Sequence, residues 1–400
     1  MLVLQLSKKF PFPAIDGESI AVQSLCGGLV ELGAEIDLLV MSTPKHPVDV
    51  AAIAAHETNF YRHIYSVAVN TDLRVFDAFA NLFTNKSYNI NRFVSTDYTE
   101  KLIQLLTNND YDIIQLETLY LSPYAPIVRR YSRAKVVLRS HNLEYEIWER
   151  LAQNERFLPK RKYLRLLTKR LKAFEIQSFA HYDLIAAITD RDGAQYRRLG
   201  YKNELQIIPI GINATKNEVT KNADFVPHFG FIGSLDWLPN VEAIDWFIPN
   251  VWLRFIAKQP SAQLFIAGRH LPKRWREAKW QNVHFIGEVP DAKAFIQAQP
   301  FFIAPLQAGG GLKVKVLEAM ALGRVVVSTH VGLEGINASQ GVAVWRADTP
   351  DEWLAALDKC VTKSTNNAAM AAAAQAYIEA HFSRQAIAAQ AMEKYGELLL

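Results

Sequence analysis

The chain has 400 residues, half of them hydrophobic and 21% charged, with a net charge of +4. That balance excludes a disordered chain, and the length exceeds one ordinary core, so two domains are expected. A mild positive charge suits a small anionic ligand or an anionic surface and makes no demand for nucleic acid.

Cys26 and Cys360 stand far apart without metal-ligand spacing, so reduced thiols are expected. The opening apolar stretch is too short for a secretory signal, and no run of 18 apolar residues spans a bilayer. A cytoplasmic protein is the expectation.

Leu2 to Leu6 reads as a first buried strand, and the loop KKFPFPAIDGES follows it. Ile20 to Leu32 has helical character, Gly33 ends it, and Ile36 to Met41 is a second strand, which gives a βαβ start. The loop lacks the G-x-G-x-x-G spacing of dinucleotide-binding folds. Residues 42 to 110 hold few strong punctuators, apart from a predicted amphipathic helix from Thr96 to Leu106. Tyr111 to Gln115 reads as a strand, and Glu117 and Tyr120 fall just past its C-terminal end. Ala134 to Leu138 is another, followed directly by Arg139-Ser140-His141-Asn142. Open α/β sheets bind ligands at such strand ends, which makes His141 a candidate, although a single histidine also serves as a structural hydrogen-bonder.

Residues 147 to 180 read as one long helical region. Within it, Lys160, Arg161, Lys162, Arg165, Lys169, Arg170 and Lys172 interleave with Phe157, Leu158, Leu164, Leu167, Leu171 and Phe174. Such a segment, 157 to 174, suits an anionic membrane surface, and a solvated helix face with a core stripe has the same pattern. Tyr182 to Ile188 is a strand, with Thr189 placed to cap the next helix. Leu205 to Ile210 leads into a polar stretch, 213 to 227, that reads as a linker.

In the second half, Phe229 to Gly233 is a strand, followed by Ser234-Leu235-Asp236-Trp237-Leu238-Pro239-Asn240 and a helix near Val241. Ala262 to Gly268 and Val283 to Gly287 are further strands, the first followed by Arg269 and the second by Glu288-Val289-Pro290. A strand from Phe301 to Pro305 leads to Gly309, Gly310 and Gly311. A helix is predicted from Leu312 to Leu322, with Gly323 as its C-terminal cap and Val325 to Val327 as a buried strand. Val342 to Trp345 reads as a last short strand, and helices are expected over Ala368 to Ala380 and Ala386 to Leu400.

The stretch from Pro305 to Gly335 carries the chemistry. Glycines let the backbone approach a ligand, and a helix start attracts anions. Lys313 and Lys315 place positive charge in the first turn, where the helix dipole disfavours it unless an anion offsets the cost. Gly311, Lys315 and Glu318 fall at i, i+4 and i+7, so they are expected on one face, with a glycine for a sugar, a lysine for a phosphate and a carboxylate for hydroxyl groups. A tight turn with a solvated helix face is the other reading of the same residues.

The run GGGLKVKVLEAMALGRVVVSTHVGLEGI resembles the donor-binding segment of retaining glycosyltransferases of the GT-B fold, family 4. Glu318 matches the glutamate that in this family holds the ribose of the nucleotide. A second family glutamate falls at Gly310, and the glycine-rich turn with a basic pair, Lys313 and Lys315, resembles a subgroup that lacks it. The runs NLFTNKSYNINRF, YDIIQLETLYLSPY and RSHNLEY, and the turn GSLDWLPN, are similar to the same subgroup, so the resemblance covers nearly the whole chain.

The resemblance implies an α/β protein of two Rossmann-like domains facing each other across a cleft. They would comprise an acceptor-side domain (1–212), a linker (213–227), a donor domain (228–382) and a last helix (383–400) returning to the first domain. It implies transfer of a sugar from a nucleoside diphosphate sugar to a hydroxyl of a saccharide or lipid-linked acceptor, with retention and without a metal or other cofactor. His141 would orient the donor and Lys315 would stabilise the leaving diphosphate. Gly17, Gly233, Ser234, Gly287, Glu288, Val289, Gly309, Gly310, Gly311, Leu312, Lys313 and Glu318 would line the donor site, with Asp16, Glu18 and Arg269 as neighbours. Surface polysaccharide or glycolipid assembly at the inner membrane face is the implied setting. A nucleotide-sugar-binding subunit without turnover and a sugar-nucleotide epimerase are the alternatives.

Overall fold

The computed structural model describes residues 1–13, 16–48, 60–72, 81, 84, 86–212, 226–362 and 364–400. Most of the expected linker, 213–225, lies outside them, as do 82, 83 and 85 of the NLFTNKSYNINRF run. The chain divides into two compact units. One comprises Met1–Gly211 with Ile387–Leu400, and the other Ile212–Ala386.

The first unit holds a seven-stranded sheet of β1 (Leu2–Ser7), β2 (Glu35–Ser42), β3 (Tyr61–Ala68), β4 (Ile113–Leu116), β5 (Lys135–Ser140), β6 (Leu184–Ala187) and β7 (Glu204–Ile207). Its order is β3-β2-β1-β4-β5-β6-β7, and every pairing is parallel. Parallel sheets are covered on both faces, which is why β6 reads as a continuous apolar run and β1 and β4 are apolar apart from Gln5, Ser7 and Gln115. Successive residues of β1 serve opposite layers. Leu4 and Leu6 pack with Tyr98 and Leu102 of the helix Thr96–Asn108. Val3 packs with Val22, Leu25 and Leu29 of the helix Gly17–Glu31. Ile387, Ala391 and Tyr395 form one stripe of the last helix, Arg384–Leu399, and complete that second layer.

The second unit holds a six-stranded parallel sheet. It comprises β8 (His228–Ile232), β9 (Gln263–Ala267), β10 (Val283–Gly287), β11 (Phe301–Ala304), β12 (Val325–Ser328) and β13 (Trp345–Arg346), in the order β10-β9-β8-β11-β12-β13. Phe229, Phe247, Trp252 and Trp353 are fully buried between sheet and helices. In each sheet the strand order reverses once, between β1 and β4 and between β8 and β11. Ligands of open α/β sheets gather at the carboxyl ends of the strands at that point.

Among the described residues several elements differ from the expectation, including the helix Pro350–Thr362, which was not foreseen. β3 was not foreseen, because this strand at the sheet edge is half exposed and carries Arg62, which pairs with Asp37 of β2 at 2.7 Å. The strand expected over Tyr111–Gln115 sits at Ile113–Leu116. The single helical region 147 to 180 is two helices, Glu144–Asn154 and Leu158–Ser178. Pro159 explains the break, since it lacks an N–H and its ring would clash with the carbonyl one turn back. The helix expected from Leu312 begins at Val314, with Lys313 extended as its N-cap, so Gly311 and Leu312 are not helical. Gly309 and Gly311 have φ of 113° and 77°, and they hold the turn that delays the helix. Val342 lies in an exposed turn after Gly341 (φ 75°), and only Trp345–Arg346 pairs with β12.

Candidate functional site

In the second unit the reversal point brings together three segments. β8 ends at Ile232, and Gly233 and Ser234 follow it. The helix Leu238–Phe247 then starts with Pro239 in its first turn, where a missing N–H costs nothing. β11 leads to the glycine turn and the helix Val314–Ala321.

Lys315 occupies the meeting point. Its Nζ lies 2.7 Å from Asn240 Oδ1 and 4.1 Å from the centre of the Phe231 ring. Among the described residues no carboxylate is within ion-pair distance. Burial, with the nearby Lys313 ammonium adding to it, pushes Lys315 down to about 7. A partly buried cation without a counter-anion is a seat for one. Asn240 holds the lysine in place and also donates to Ser234 O at 2.8 Å.

Glycine is required twice around this lysine. A Cβ on Gly233 would stand 2.7 Å from Asn240 Nδ2 and 3.0 Å from Lys315 Nζ. A Cβ on Gly268, just after β9, would stand 1.7 Å from the Gly233 carbonyl oxygen.

Glu318 lies one turn beyond Lys315, at i+3, on the same side of the helix. It is partly buried. Its carboxyl is raised by burial, with only Lys293 drawing it back, and it has no hydrogen-bond or ion-pair partner among the described residues. Lys313 is folded onto the loop, donating to Gly309 O at 3.3 Å and to Gly311 O, with Glu334 at 3.8 Å.

The remaining expected residues are more peripheral. Ser234 Oγ donates to Asp236 at 2.6 Å, so its hydroxyl proton is engaged. Gly287 has φ 79° and accepts from Gly268 N at 2.7 Å, next to exposed Glu288 and partly buried Val289. Leu312 and Gly310 are partly buried in the turn. Arg269 contributes its carbonyl, which accepts from Leu235 N at 2.9 Å.

In the first unit, His141 directly follows β5 and Glu117 directly follows β4. His141 Nε2 lies 3.1 Å from Glu117 Oε2. His141 is 8% exposed, and its Nδ1 has no partner among the described residues. Gly17 is the first helical residue after Asp16, which caps the helix by accepting from Ser19 N at 2.9 Å. Burial opposes the charge on Asp16, but Lys9 at 2.7 Å outweighs it and holds that carboxyl down at about 2. Glu18 pairs with Lys8 at 3.1 Å, and Lys8 lies over the Tyr120 ring at 4.9 Å. Asp16 and Glu18 are thus committed to local ion pairs. Tyr120 donates to Glu144 at 2.9 Å, and burial pushes that carboxyl up. Among the described residues no group of His, Cys, Asp or Glu is placed to hold a metal ion.

Residues 15–216 match the family model described as Glycosyltransferase Family 4, and residues 226–363 match Glycosyl transferases group 1. The chain belongs to the group 1 glycosyltransferases.

Known structures extend this to the fold. The glycosyltransferase resembles sucrose-phosphate synthase from Thermosynechococcus elongatus, with a TM-score of 0.72 and 16% identity over 100% of this chain and 99% of that one. It resembles Anabaena HepE in complex with UDP, with a TM-score of 0.66 and 15% identity over 99% and 100%. A point mutant of S. aureus TarM, in complex with Fondaparinux, α-GlcNAc-glycerol and UDP, gives 0.69 and 11% over 100% and 99%. The two parallel sheets with flanking helices are those of the GT-B fold. A curated relative, an uncharacterised 44.6 kDa protein in the cps region of Klebsiella pneumoniae, is 29% identical over 120 residues. That match covers 28% of this glycosyltransferase and 31% of the relative, so the chain spans about a third of the curated relative's length.

Sequence reasoning missed Asn240 and Gly268 as parts of this site. Asn240 closes the GSLDWLPN run already noted, and Gly268 ends a predicted strand. A glycine or amide placed just after a strand at the reversal point was the available signal.

Proposed function

We propose that this glycosyltransferase moves a sugar from a nucleoside diphosphate sugar to an acceptor hydroxyl, with retention of configuration, in polysaccharide or glycolipid assembly. The observation that carries this reading is Lys315, a desolvated cation without a counter-anion at the β8/β11 reversal, one turn from the unpartnered Glu318. The Lys315 ammonium meets the diphosphate, and the helix start adds positive potential. Glu318 accepts from ribose hydroxyls. As the bond from the anomeric carbon to the phosphate oxygen breaks, negative charge grows where Lys315 stands. The acceptor hydroxyl attacks from the face that the diphosphate leaves, and its proton passes to the departing phosphate oxygen. The charge that a metal supplies in other transferases comes here from Lys313 and Lys315. His141 takes a substrate hydroxyl. HepE bound to UDP and to UDP-glucose, and the cps-region relative, support the donor class and the setting.

Thermal shift with UDP, GDP, ADP and TDP tests the donor site. One nucleotide is expected to raise the midpoint by mass action. Glu318→Ala should weaken that nucleotide by about 10–100-fold, the value of hydrogen bonds to a charged group. Its ligand-free midpoint should equal or exceed the parent's, because a partly buried acid without a partner is removed. No shift with any nucleotide would overturn the reading. Donor hydrolysis without acceptor separates an enzyme from a binding subunit without turnover.

Membrane contact belongs to the same proposal. No helix among the described residues is long and apolar enough to cross a membrane. Phe157 and Leu158, at the start of the helix Leu158–Ser178, are 66% and 57% exposed, and Leu151 is 45% exposed. Exposed Arg156, Lys160, Lys162, Arg165 and Lys169 surround them or extend along the helix, while Leu167 and Leu171 face the core. Each basic residue near an anionic bilayer contributes about 1 kcal/mol. The protein is expected to sediment with phosphatidylglycerol vesicles and not with phosphatidylcholine alone. A Phe157→Ser, Leu158→Ser double variant should lose most of that binding. Equal binding to both vesicles would remove the electrostatic part.

A further inference from the structure

We propose that Glu117 is a positioning residue that fixes the tautomer of His141, leaving Nδ1 as the acceptor for a substrate hydroxyl, and that Tyr395 of the last helix sets Glu117 through Gln115. This rests on the reading of His141 as a substrate-facing group.

The directions of the hydrogen bonds carry the argument. Glu117 is fully buried. Its Oε1 accepts from Gln5 Nε2 at 2.8 Å and from Gln115 Nε2, and its Oε2 faces His141 Nε2. Each glutamine could in principle be turned around, which would present an oxygen to the carboxylate. Turned, each amide would set its oxygen against a carboxylate oxygen, whereas the present orientation gives both ends of each amide a partner. Gln115 Oε1 accepts from Tyr395 OH at 2.6 Å. Gln5 Oε1 accepts from Tyr61 OH at 2.8 Å and from Cys26 Sγ at 3.3 Å. Burial pushes both phenols above their ordinary range, so they remain O–H donors. Both amides point their N–H groups at Glu117, which accepts from each of them.

An acceptor opposite Nε2 requires the proton to be on Nε2. In the neutral ring Nδ1 then carries the lone pair. That nitrogen is buried and unpartnered. An unsatisfied buried acceptor is costly unless a ligand supplies a donor, and a sugar hydroxyl is such a donor. Thr118 Oγ1, in the residue after Glu117, is buried and unpartnered as well. The chain of contacts runs from the last helix, through β4, to the residue that follows β5.

Glu117→Gln is the test, because it keeps the shape and inverts the chemistry. Its Oε1 can still accept from Gln5 and Gln115, so its own NH2 must face His141. Nε2 then becomes the acceptor and the proton moves to Nδ1. Long-range 1H–15N spectra of the imidazole are expected to show Nε2–H in the parent and Nδ1–H in the variant, with little change in melting temperature. Tyr395→Phe removes the donor that holds Gln115 Oε1 and should loosen Glu117, lowering turnover less than Glu117→Gln does, with Nε2–H retained because the carboxylate still accepts. Turnover, followed as nucleoside diphosphate release from the donor identified by the nucleotide panel, should fall about 10–100-fold in Glu117→Gln, the usual effect of losing an orienting partner. Nε2–H retained in Glu117→Gln would overturn the proposal, and so would an inverted tautomer with unchanged turnover. The spectra need no substrate, so they distinguish a failure of this proposal from a failure of the glycosyl-transfer reading.

Discussion

Lys315→Met should lower kcat/KM by about 10²–10³-fold, the scale on which removal of one preorganised charge-stabilising donor is felt. Methionine keeps the unbranched stem over Phe231, so the loss isolates the ammonium. Stability should stay within about 1 kcal/mol of the parent, because relief of a desolvated charge offsets the lost bond to Asn240. The proton linkage gives a second readout. In the free protein Lys315 is held down at about 7. A bound diphosphate would raise it, so above pH 7 binding takes up a proton. Nucleotide affinity should therefore fall as pH rises from 7 towards the bound value, by up to about tenfold per unit. Calorimetry in buffers of different ionisation enthalpy measures the uptake directly. The methionine variant should show neither the uptake nor the slope. An unchanged slope in that variant would assign the titration to another group and leave Lys315 without the role given to it.

Gly268→Ala should destabilise the second unit by about 3–4 kcal/mol or more, beyond the usual range for a point substitution. The added Cβ would stand 1.7 Å from Gly233 O, and Gly268 has φ 151°, where side chains are rarely found. The obstacle is backbone, which no rotamer change relieves. That backbone is also fixed. Gly233 N donates to Ala267 O at 3.2 Å, Gly268 N to Gly287 O at 2.7 Å and Leu235 N to Arg269 O at 2.9 Å, so the ladder continues past the strand ends into the site. Relief must pull Gly233 away from Asn240 and Lys315, and donor affinity should fall together with stability. Every tryptophan except Trp148 lies in the second unit, so denaturant unfolding followed by fluorescence reports on the damaged part. A transition at the parent's midpoint would mean that the Gly233–Gly268 contact is looser than the geometry states.

The legible parts of the fold were those where burial on both faces leaves an apolar run, as in β1, β11 and β12. β3 escaped because its Arg62 and His63 are held by Asp37 in the neighbouring strand, a pairing that no local window contains. The start of the helix Val314–Ala321 was misjudged because periodicity extends to Leu312, while the positive φ angles of Gly309 and Gly311 are set by the turn and not by the pattern. At the candidate site, Lys315, Glu318, Gly233 and His141 stood out because a charged or small residue broke an apolar context. Asn240, Gln5, Gln115 and Tyr395 did not. Their roles come from partners far along the chain, 75 positions for Lys315 with Asn240 and 280 for Tyr395 with Gln115.

The first unit is not a continuous stretch of chain. Residues 1–211 are synthesised, then all of 212–386, and only afterwards the helix segment that brings Ile387, Ala391 and Tyr395 to its second layer. The second unit is a contiguous stretch of chain. The first must wait with Val3, Leu38 and Ile113 incompletely covered and with Gln115 lacking its phenol. The carboxylate that directs His141 is thus set last, and a nascent chain that stops short of the final helix carries its histidine without the far end of the hydrogen-bond chain that orients it.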